Sequence, residues 1–468
     1  MLGVAVAATA VPAPPLAAAT RLPPEAAAAL RRAAVPSAAL SVVVHDLGSA
    51  RPVLRWHEDR AVNPASLAKL LTTAAALDRL GPAYTWATPV WLTGPVREGV
   101  LDGSLVVQGR GDPGFTLERV WGLLRRVQQL GVREIRGDIV LDASAFDLPE
   151  VDPGDFDGEP LRPYNVRPAA LLFNFRSSFY TFTPDAAAGV ARVAVEPPLA
   201  GQVVERSVPL AGGPCADWRG ALKARFEPGR TRFGGSYATA CGERSWPVAD
   251  PEPATFEARL LQGLWHEMGG TLHGVARAGT APAGAAPSFE LRSPALAEVV
   301  RDINKFSNNL MAQQLYYTLA LQARPGERAT PEGARDTLAG WLAERTGPLG
   351  DDVVLEGGSG LSRGTRISAA RLARVLVQAW DGPVMSELMS SLPVSGLDGT
   401  LRRARVASGR AHLKTGSLRD VTALAGYVLS NSGRRYVLVA IVNHDQAGAA
   451  RPALDALVQW TLRDAPAF

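Results

Sequence analysis

Asn63-Pro64-Ala65-Ser66-Leu67-Ala68-Lys69-Leu70-Leu71 sets a serine and a lysine three positions apart where an apolar helix begins. Three residues is close to one helical turn, so both side chains leave the same face. A hydroxyl beside an amine is one way to activate a serine nucleophile without histidine. The periodicity predicts a helix from about Ala65 to Leu80, closed by Gly81-Pro82.

Lysine usage gives this pair its weight. Of 49 Lys+Arg, only residues 69, 223, 305 and 414 are lysine, leaving 49 − 4 = 45 arginines. A chain that otherwise writes arginine keeps lysine where arginine cannot serve, and only lysine can be tuned to lose its proton. Lys305-Phe306-Ser307-Asn308-Asn309 ends one helical pattern and opens another, so a tight turn there presents Ser307 and Asn309. Ala411-His412-Leu413-Lys414-Thr415-Gly416-Ser417 reads as a strand ending in small residues, where glycine lets a substrate backbone lie close.

Composition bounds the rest. A chain of 468 residues with 47% hydrophobic and 20% charged residues is long enough for several domains and is ordinary globular material. The balance of 49 basic and 45 acidic residues, without a basic run, gives no argument for nucleic acid. Met1–Ala19 is apolar and ends in small residues, which predicts an export leader although a basic n-region is missing. No later stretch is apolar for long enough to predict a membrane span. Cys215 and Cys241 form an even pair, most simply a structural disulfide in an exported protein, or two buried thiols in a cytosolic one.

Along the chain, Ala39–His45 and Val53–His57 read as a hairpin, followed by the Ser66 helix. From about Tyr84 the texture becomes short strands and glycines, with strands at Ala87–Leu92, Ser104–Val107 and Gly137–Asp142 and a helix at Thr116–Leu130. Arg162–Phe182 reads as strand-like, Val190–Val208 as β-rich, and the cysteines as bracketing a twisted hairpin that a bridge would pin. Helical periodicity returns at Thr255–Met268 and, after a linker at Gly279–Pro287, at Pro294–Lys305, Asn308–Leu321, Thr330–Arg345 and Ser368–Trp380. Strands at Ala411–Lys414, Ala423–Leu429 and Arg435–Asn443 precede a last helix at Arg451–Arg463. The expectation is an α/β (α+β) catalytic domain made of residues 20–84 and 290–468, with an antiparallel sheet flanked by helices. It is interrupted by an inserted domain of residues 85–163 and 250–289, in which a β-rich domain of residues 164–249 is nested.

S-x-x-K, a serine-x-asparagine centre and K-T-G occur here in the order found in penicillin-binding proteins and serine β-lactamases. Further blocks narrow the resemblance. Gly358-Ser359-Gly360-Leu361-Ser362-Arg363 is similar to a DGSGLSR block, with Gly357 where the aspartate would stand. Leu392 to Leu401 is similar to LPxxGxDGTL, and Gly109-Arg110-Gly111-Asp112-Pro113 to a GGGDP loop. From about residue 20 to 465 the chain resembles class C low-molecular-mass penicillin-binding proteins of the penicillin-binding-protein-four type, D-alanyl-D-alanine carboxypeptidases and endopeptidases.

That resemblance implies a serine β-lactamase/transpeptidase-like fold, peptidoglycan stem peptides as substrate, covalent binding of β-lactams and a periplasmic location. It needs no cofactor, and a second copy of the chain stands among the candidate partners. It implies Ser66 as nucleophile, Lys69 as its base, Ser307 and Lys414 as a proton relay, and Asn309 as the group fixing Lys69 and the substrate amide. Lys69 is expected to have a depressed pKa, from Lys414 and from desolvation. Backbone N–H groups of Ser66 and Ser417 would hold the oxyanion, while Lys414 and Thr415, beside Gly416, would take the terminal carboxylate. Arg363, Arg419 and an acidic residue shortly before an aromatic would face the donor peptide; Glu159 and Tyr164 fit that spacing.

Two other readings compete: a β-lactamase or esterase of the same superfamily, and an idle scaffold on this fold. The large insert speaks against the first, and the complete set of polar residues against the second. Gly109 to Gly114 also matches G-x-G-x-x-G, but Pro113-Gly114 is poor material for the helix a nucleotide site needs. The six histidines show no H-x-x-x-H pairing, so no metal site is expected. Arg402, Arg403 and Arg405 read as a solvated face.

Overall fold

The structure is a computed structural model that describes residues 21–465; the expected leader at 1–19 lies outside the described residues. At its centre is a five-stranded antiparallel sheet in the order Pro52–Trp56, Leu40–Asp46, Arg435–Asn443, Val421–Leu429, Ala411–Leu418. The middle strand, from the C-terminal half, pairs with Leu40–Asp46 from the N-terminal half, so the sheet itself joins the two ends of the chain.

Alternation along Arg435–Asn443 explains the helices on both faces. Val437, Val439 and Ile441 enter one core, while Leu438, Ala440 and Val442 enter the other. Sandwiched this way, a strand carries no polar face, which is why it reads as a continuous apolar run. The first core is shared with the helices Ala68–Leu80, Leu296–Phe306, Asn309–Ala323, Pro331–Thr346, Ala369–Trp380 and Met385–Ser391. The second is covered by Pro24–Arg32 and Arg451–Leu462. Each aliphatic side chain withdrawn from water contributes about 1.5–3 kcal/mol, so the paired halves are strongly held.

The insert has its own cores. One sheet runs Ala276–Ala278, Ile139–Asp142, Leu105–Gln108, Ala87–Leu92, Phe289–Arg292, with the helices Leu117–Gln129 and Phe256–Glu267 packed in the same cluster. Phe289–Arg292 pairs with Ala87–Leu92, which brings the exit of the insert back beside its entrance. Nested within is a second β-rich unit around Tyr180, Phe182, Phe233 and Tyr237. No helix among the described residues is long and apolar enough to cross a membrane.

Three local expectations need correction. The Ser66 segment is a 3₁₀ turn at Ala65–Leu67 before the α-helix Ala68–Leu80 begins. Arg162–Phe182 is mostly not strand: only Ser177–Asp185 is, after 3₁₀ turns at Pro163–Asn165 and Asn174–Arg176. Proline at 163 and 168 and positive φ at Asn174, Phe175 and Arg176 break the ladder there, and of the aromatics on this irregular stretch Phe173 is buried while Tyr164 stays exposed. The disulfide Cys215–Cys241 is present, but it does not pin a hairpin directly. The hairpin Ala224–Glu227 to Arg230–Phe233 lies between the cysteines, one of which sits in a loop and the other in the turn Thr239–Cys241.

Candidate active site

Ser66 is presented by a strained, pinned turn. Ala65 has φ 47°, and its N–H is accepted by Asn63 Oδ1 at 2.8 Å. Asn443 holds Asn63 from the central strand: its Oδ1 accepts the Asn63 N–H at 2.8 Å and its Nδ2 donates to the Asn63 carbonyl at 2.9 Å. Asn63 Nδ2 in turn donates to the Ser362 carbonyl at 3.0 Å. The Ser66 backbone is thus tied to both the sheet and the 358–363 block.

Lys69 lies wholly out of solvent, directly below Ser66. Its Nζ lies 3.1 Å from Ser66 Oγ, within hydrogen-bond distance, and donates to Asn309 Oδ1 at 2.7 Å and the Ser359 carbonyl at 2.6 Å. Burial first, and the charge of Lys414 second, hold its pKa well below the ordinary lysine range. Lys414, also wholly buried, donates to Ser307 Oγ at 2.8 Å and to the Thr415 carbonyl at 2.9 Å. Burial pushes its pKa down to about 7.

Ser307 closes the helix Leu296–Phe306 in the left-handed region, φ 57° and ψ 38°. Asn308 then starts the next helix by accepting the Met311 N–H at 3.0 Å. This reversal turns Ser307 toward Lys414 and Asn309 toward Lys69. Asn309 Nδ2 also donates to the Tyr164 carbonyl at 3.4 Å, a contact from the insert to the group that holds Lys69.

The Lys414 strand passes close to the serine turn. A Cβ on Gly416 would sit 2.8 Å from the Pro64 carbonyl oxygen and 3.4 Å from Ala65 Cβ, so only glycine lets this edge approach. Thr415 Oγ1 hydrogen-bonds Thr400 Oγ1 at 2.8 Å, and Ser417 is exposed at the rim. Behind them Lys305, 5% exposed, donates to Asp398 Oδ2 at 2.6 Å, while Asp398 Oδ1 accepts the Val394 N–H at 2.7 Å. One half-buried ion pair therefore links the Ser307 helix to the loop that supports Thr415.

The five residues Ser66, Lys69, Ser307, Asn309 and Lys414 converge on one centre, and the outer residues are arranged differently. Arg363 pairs with Asp420 at 3.4 Å and lies over the Phe156 ring at 4.5 Å. Arg419 is exposed. Glu159 is exposed and engages Arg162 at 3.3 Å. The carboxylate bonded to the Tyr164 hydroxyl, at 2.9 Å, is that of Asp157, which Asn165 Nδ2 also holds at 2.8 Å. Sequence reasoning missed Asp157, Ser359, Asn63 and Asn443. An Asp two positions before Glu159 was a visible signal, whereas the Ser359 contribution is a carbonyl that every residue type carries.

Comparison with known proteins agrees with this geometry. The chain is 29% identical over 452 residues to a D-alanyl-D-alanine carboxypeptidase of Actinomadura sp. (strain R39), covering 90% of this chain and 81% of that one. It is 24% identical over 396 residues to D-alanyl-D-alanine carboxypeptidase DacB of Haemophilus influenzae, covering 82% and 81%. The crystal structure of penicillin-binding protein 4 (dacB) from Haemophilus influenzae superposes with a TM-score of 0.74 at 21% identity, covering 93% of this chain and 99% of that one. A structure of the same protein complexed with a β-lactam gives a TM-score of 0.69 at 21% identity, covering 92% and 96%. A family profile described as D-Ala-D-Ala carboxypeptidase 3 (S13) matches residues 25–463, so this chain belongs to that family of penicillin-binding serine peptidases.

Proposed function

We propose that Ser66 attacks the carbonyl between two D-alanines of a peptidoglycan stem peptide, forming an acyl-enzyme that water then hydrolyses. The observation carrying this is the environment of Lys69 Nζ, buried, beside a second lysine and within hydrogen-bond reach of Ser66 Oγ. A neutral amine has two N–H bonds and one lone pair. Asn309 Oδ1 and the Ser359 carbonyl accept the two N–H bonds, which leaves the lone pair for the Ser66 hydroxyl proton. As Ser66 Oγ bonds to the carbonyl carbon, that proton passes to Lys69.

Collapse of the tetrahedral intermediate breaks the C–N bond, and the departing amine needs a proton. Lys414 through Ser307 Oγ is the relay suited to this, its pKa of about 7 matching neutral conditions. The N–H groups of Ser66 and Ser417 would stabilise the oxyanion, each worth about 3–4 kcal/mol in comparable enzymes. Thr415, with Gly416 beside it, and Lys414 would receive the terminal carboxylate. Arg363, Arg419 and the Asp157–Glu159 loop would face the donor peptide. We further assign residues 20–84 and 290–468 to the catalytic domain, residues 85–163 and 250–289 to the inserted domain, and residues 164–249 to the nested domain. A periplasmic location and self-association belong to the same reading.

The test is labelling with a fluorescent penicillin, with Ser66→Ala run beside the native protein. A covalent band in the native protein alone supports the assignment, and its absence refutes it. Slow loss of label marks a peptidase, whereas rapid turnover would mark a β-lactamase. Release of D-alanine from a pentapeptide against cleavage of a cross-linked dimer then separates carboxypeptidase from endopeptidase.

A further inference from the structure

A cleft of about 620 Å³ opens between residues 143–153 of the inserted unit and the segment 166–170 of the nested one. That volume suits a small peptide. Its walls are stiff and apolar, with Pro149, Val151, Pro160, Val166 and Pro168 among them. Most of its charged groups are already engaged. Arg176 pairs with Glu257 at 2.7 Å, Asp250 with Arg259 at 2.5 Å, and the Asp152 carboxylate accepts the Gly154 N–H at 2.7 Å.

Two groups remain uncommitted. Arg167 donates through Nη2 to the Asp152 carbonyl at 2.8 Å, yet its Nε is buried and has no partner among the described residues. A guanidinium with five donors and one described bond retains N–H groups for a carboxylate on its Nη edge, though not at the enclosed Nε. Glu150, exposed at the mouth, is the second. With Glu150 and the Asp152 carboxylate, which has a hydrogen bond but no ion pair, on the same walls as Arg167, the proline-walled cleft carries charge of both signs and fits a ligand carrying both a carboxylate and an amine.

A segment that lines the cleft is also tied to the helix that bears Asn309. Tyr164, three residues before Arg167, receives the Asn309 Nδ2 bond through its carbonyl at 3.4 Å. Two residues after Arg167, Ala169 is held at both ends by Gln314: Oε1 accepts its N–H at 3.1 Å and Nε2 donates to its carbonyl at 2.9 Å. Asn309 and Gln314 stand on one helix, Asn309–Ala323. The strip carrying Val166 and Arg167 is thus clamped on either side to the helix that positions Lys69's partner.

We propose that this cleft is a second peptide-binding site, taking a short peptide by its free carboxylate on Arg167 and its amine on Glu150, and that its occupancy is coupled to the Ser66 centre through residues 164–169. Any such coupling acts in both directions.

The experiment uses the whole protein blocked at Ser66 by penicillin, so that the catalytic centre cannot take the probe. The covalent band is read first, which separates a failure of the Ser66 assignment from a failure of the cleft. Nα-acetyl-L-Lys-D-Ala is then titrated by calorimetry, against its C-terminal amide. Saturable binding of the acid, weakened at least tenfold for the amide and for Arg167→Met, and weakened by Glu150→Gln, is the expected result. The penicilloyl half-life should also change several-fold on saturation in the native protein and stay fixed in Arg167→Met. Absence of saturable binding to the blocked protein, or equal binding of acid and amide, overturns the site whether or not the Arg167 variant folds. Binding that leaves the half-life unchanged overturns the coupling.

Discussion

Gly360→Ala should slow acylation at Ser66 without touching its side chain. Gly360 has φ +75°, and a Cβ built there lies 1.9 Å from the Ala65 carbonyl oxygen and 3.1 Å from the Ser66 nitrogen. Ordinary contact between such atoms is about 3.5 Å, so one side must retreat by roughly 1.5 Å. Backbone opposes backbone here, and the serine turn cannot yield freely because Asn443 and the Ser362 carbonyl hold Asn63. The left-handed conformation adds about 1–2 kcal/mol of strain for alanine. Together with overpacking, the expected loss of stability is roughly 2–4 kcal/mol. A misplacement of about 1 Å at a reacting atom slows chemistry on the order of a hundredfold. The assay pairs the second-order rate of labelling by fluorescent penicillin with a urea unfolding midpoint. Gly357→Asn is the control, since φ is +63° there, nothing lies within 4 Å and asparagine tolerates that region. An alanine variant labelled within about threefold of the native rate, a difference below 1 kcal/mol, would refute the idea that this block fixes Ser66.

Other expectations follow from the same structure. Lys414 has a folded pKa of about 7, and an unfolded one of about 10.4, so the unfolded chain binds more protons between these values. Stability should therefore rise with pH across that window, with Lys69 contributing in the same sense, and Lys414→Met should reduce the slope of Tm against pH without abolishing it; an unchanged slope contradicts the assignment. Asp398→Asn strands an ammonium that is 5% exposed, but Asp398 itself is 40% exposed. The loss should thus be about 1–3 kcal/mol rather than the roughly 3–5 of a fully buried pair. Labelling should slow as the support of Thr415 loosens, with the denaturant midpoint and the labelling rate measured together. Reducing Cys215–Cys241, which are 26 residues apart, should cost the nested unit about 3 kcal/mol. Faster proteolysis within 164–249 at an unchanged labelling rate is expected; loss of labelling would show that this unit supports the active site directly.

Much of the catalytic centre was legible because its residue types are chemically constrained. A base that must lose its proton has to be lysine in an arginine-rich chain, and Lys69, Lys305 and Lys414 mark the blocks that converge or brace the site. Lys223 is the exception, an exposed residue of the nested unit. Helices and the central strands were legible for a different reason, since periods of 3.6 and 2 are imposed by burial on one stripe or on alternating faces. The segment 162–176 was not, because proline and positive φ set an irregular path on which burial, as of Phe173, has no period.

By itself, then, the sequence determined which chemistry was available and on which local elements: a serine and a lysine one turn apart, a serine and asparagine at a helix break, a lysine on a strand with glycine after it. Tertiary structure decided what each of them faces. Lys69 and Lys414 are 414 − 69 = 345 residues apart, and only the pairing of the two chain halves in one sheet makes them neighbours. The Ser359 carbonyl on Lys69, the Tyr164 carbonyl on Asn309 and the choice of Asp157 over Glu159 beneath Tyr164 are likewise matters of chain path. The physical reason is that two of these are backbone groups, identical in every residue, and the third depends on a loop whose direction is set by what it packs against.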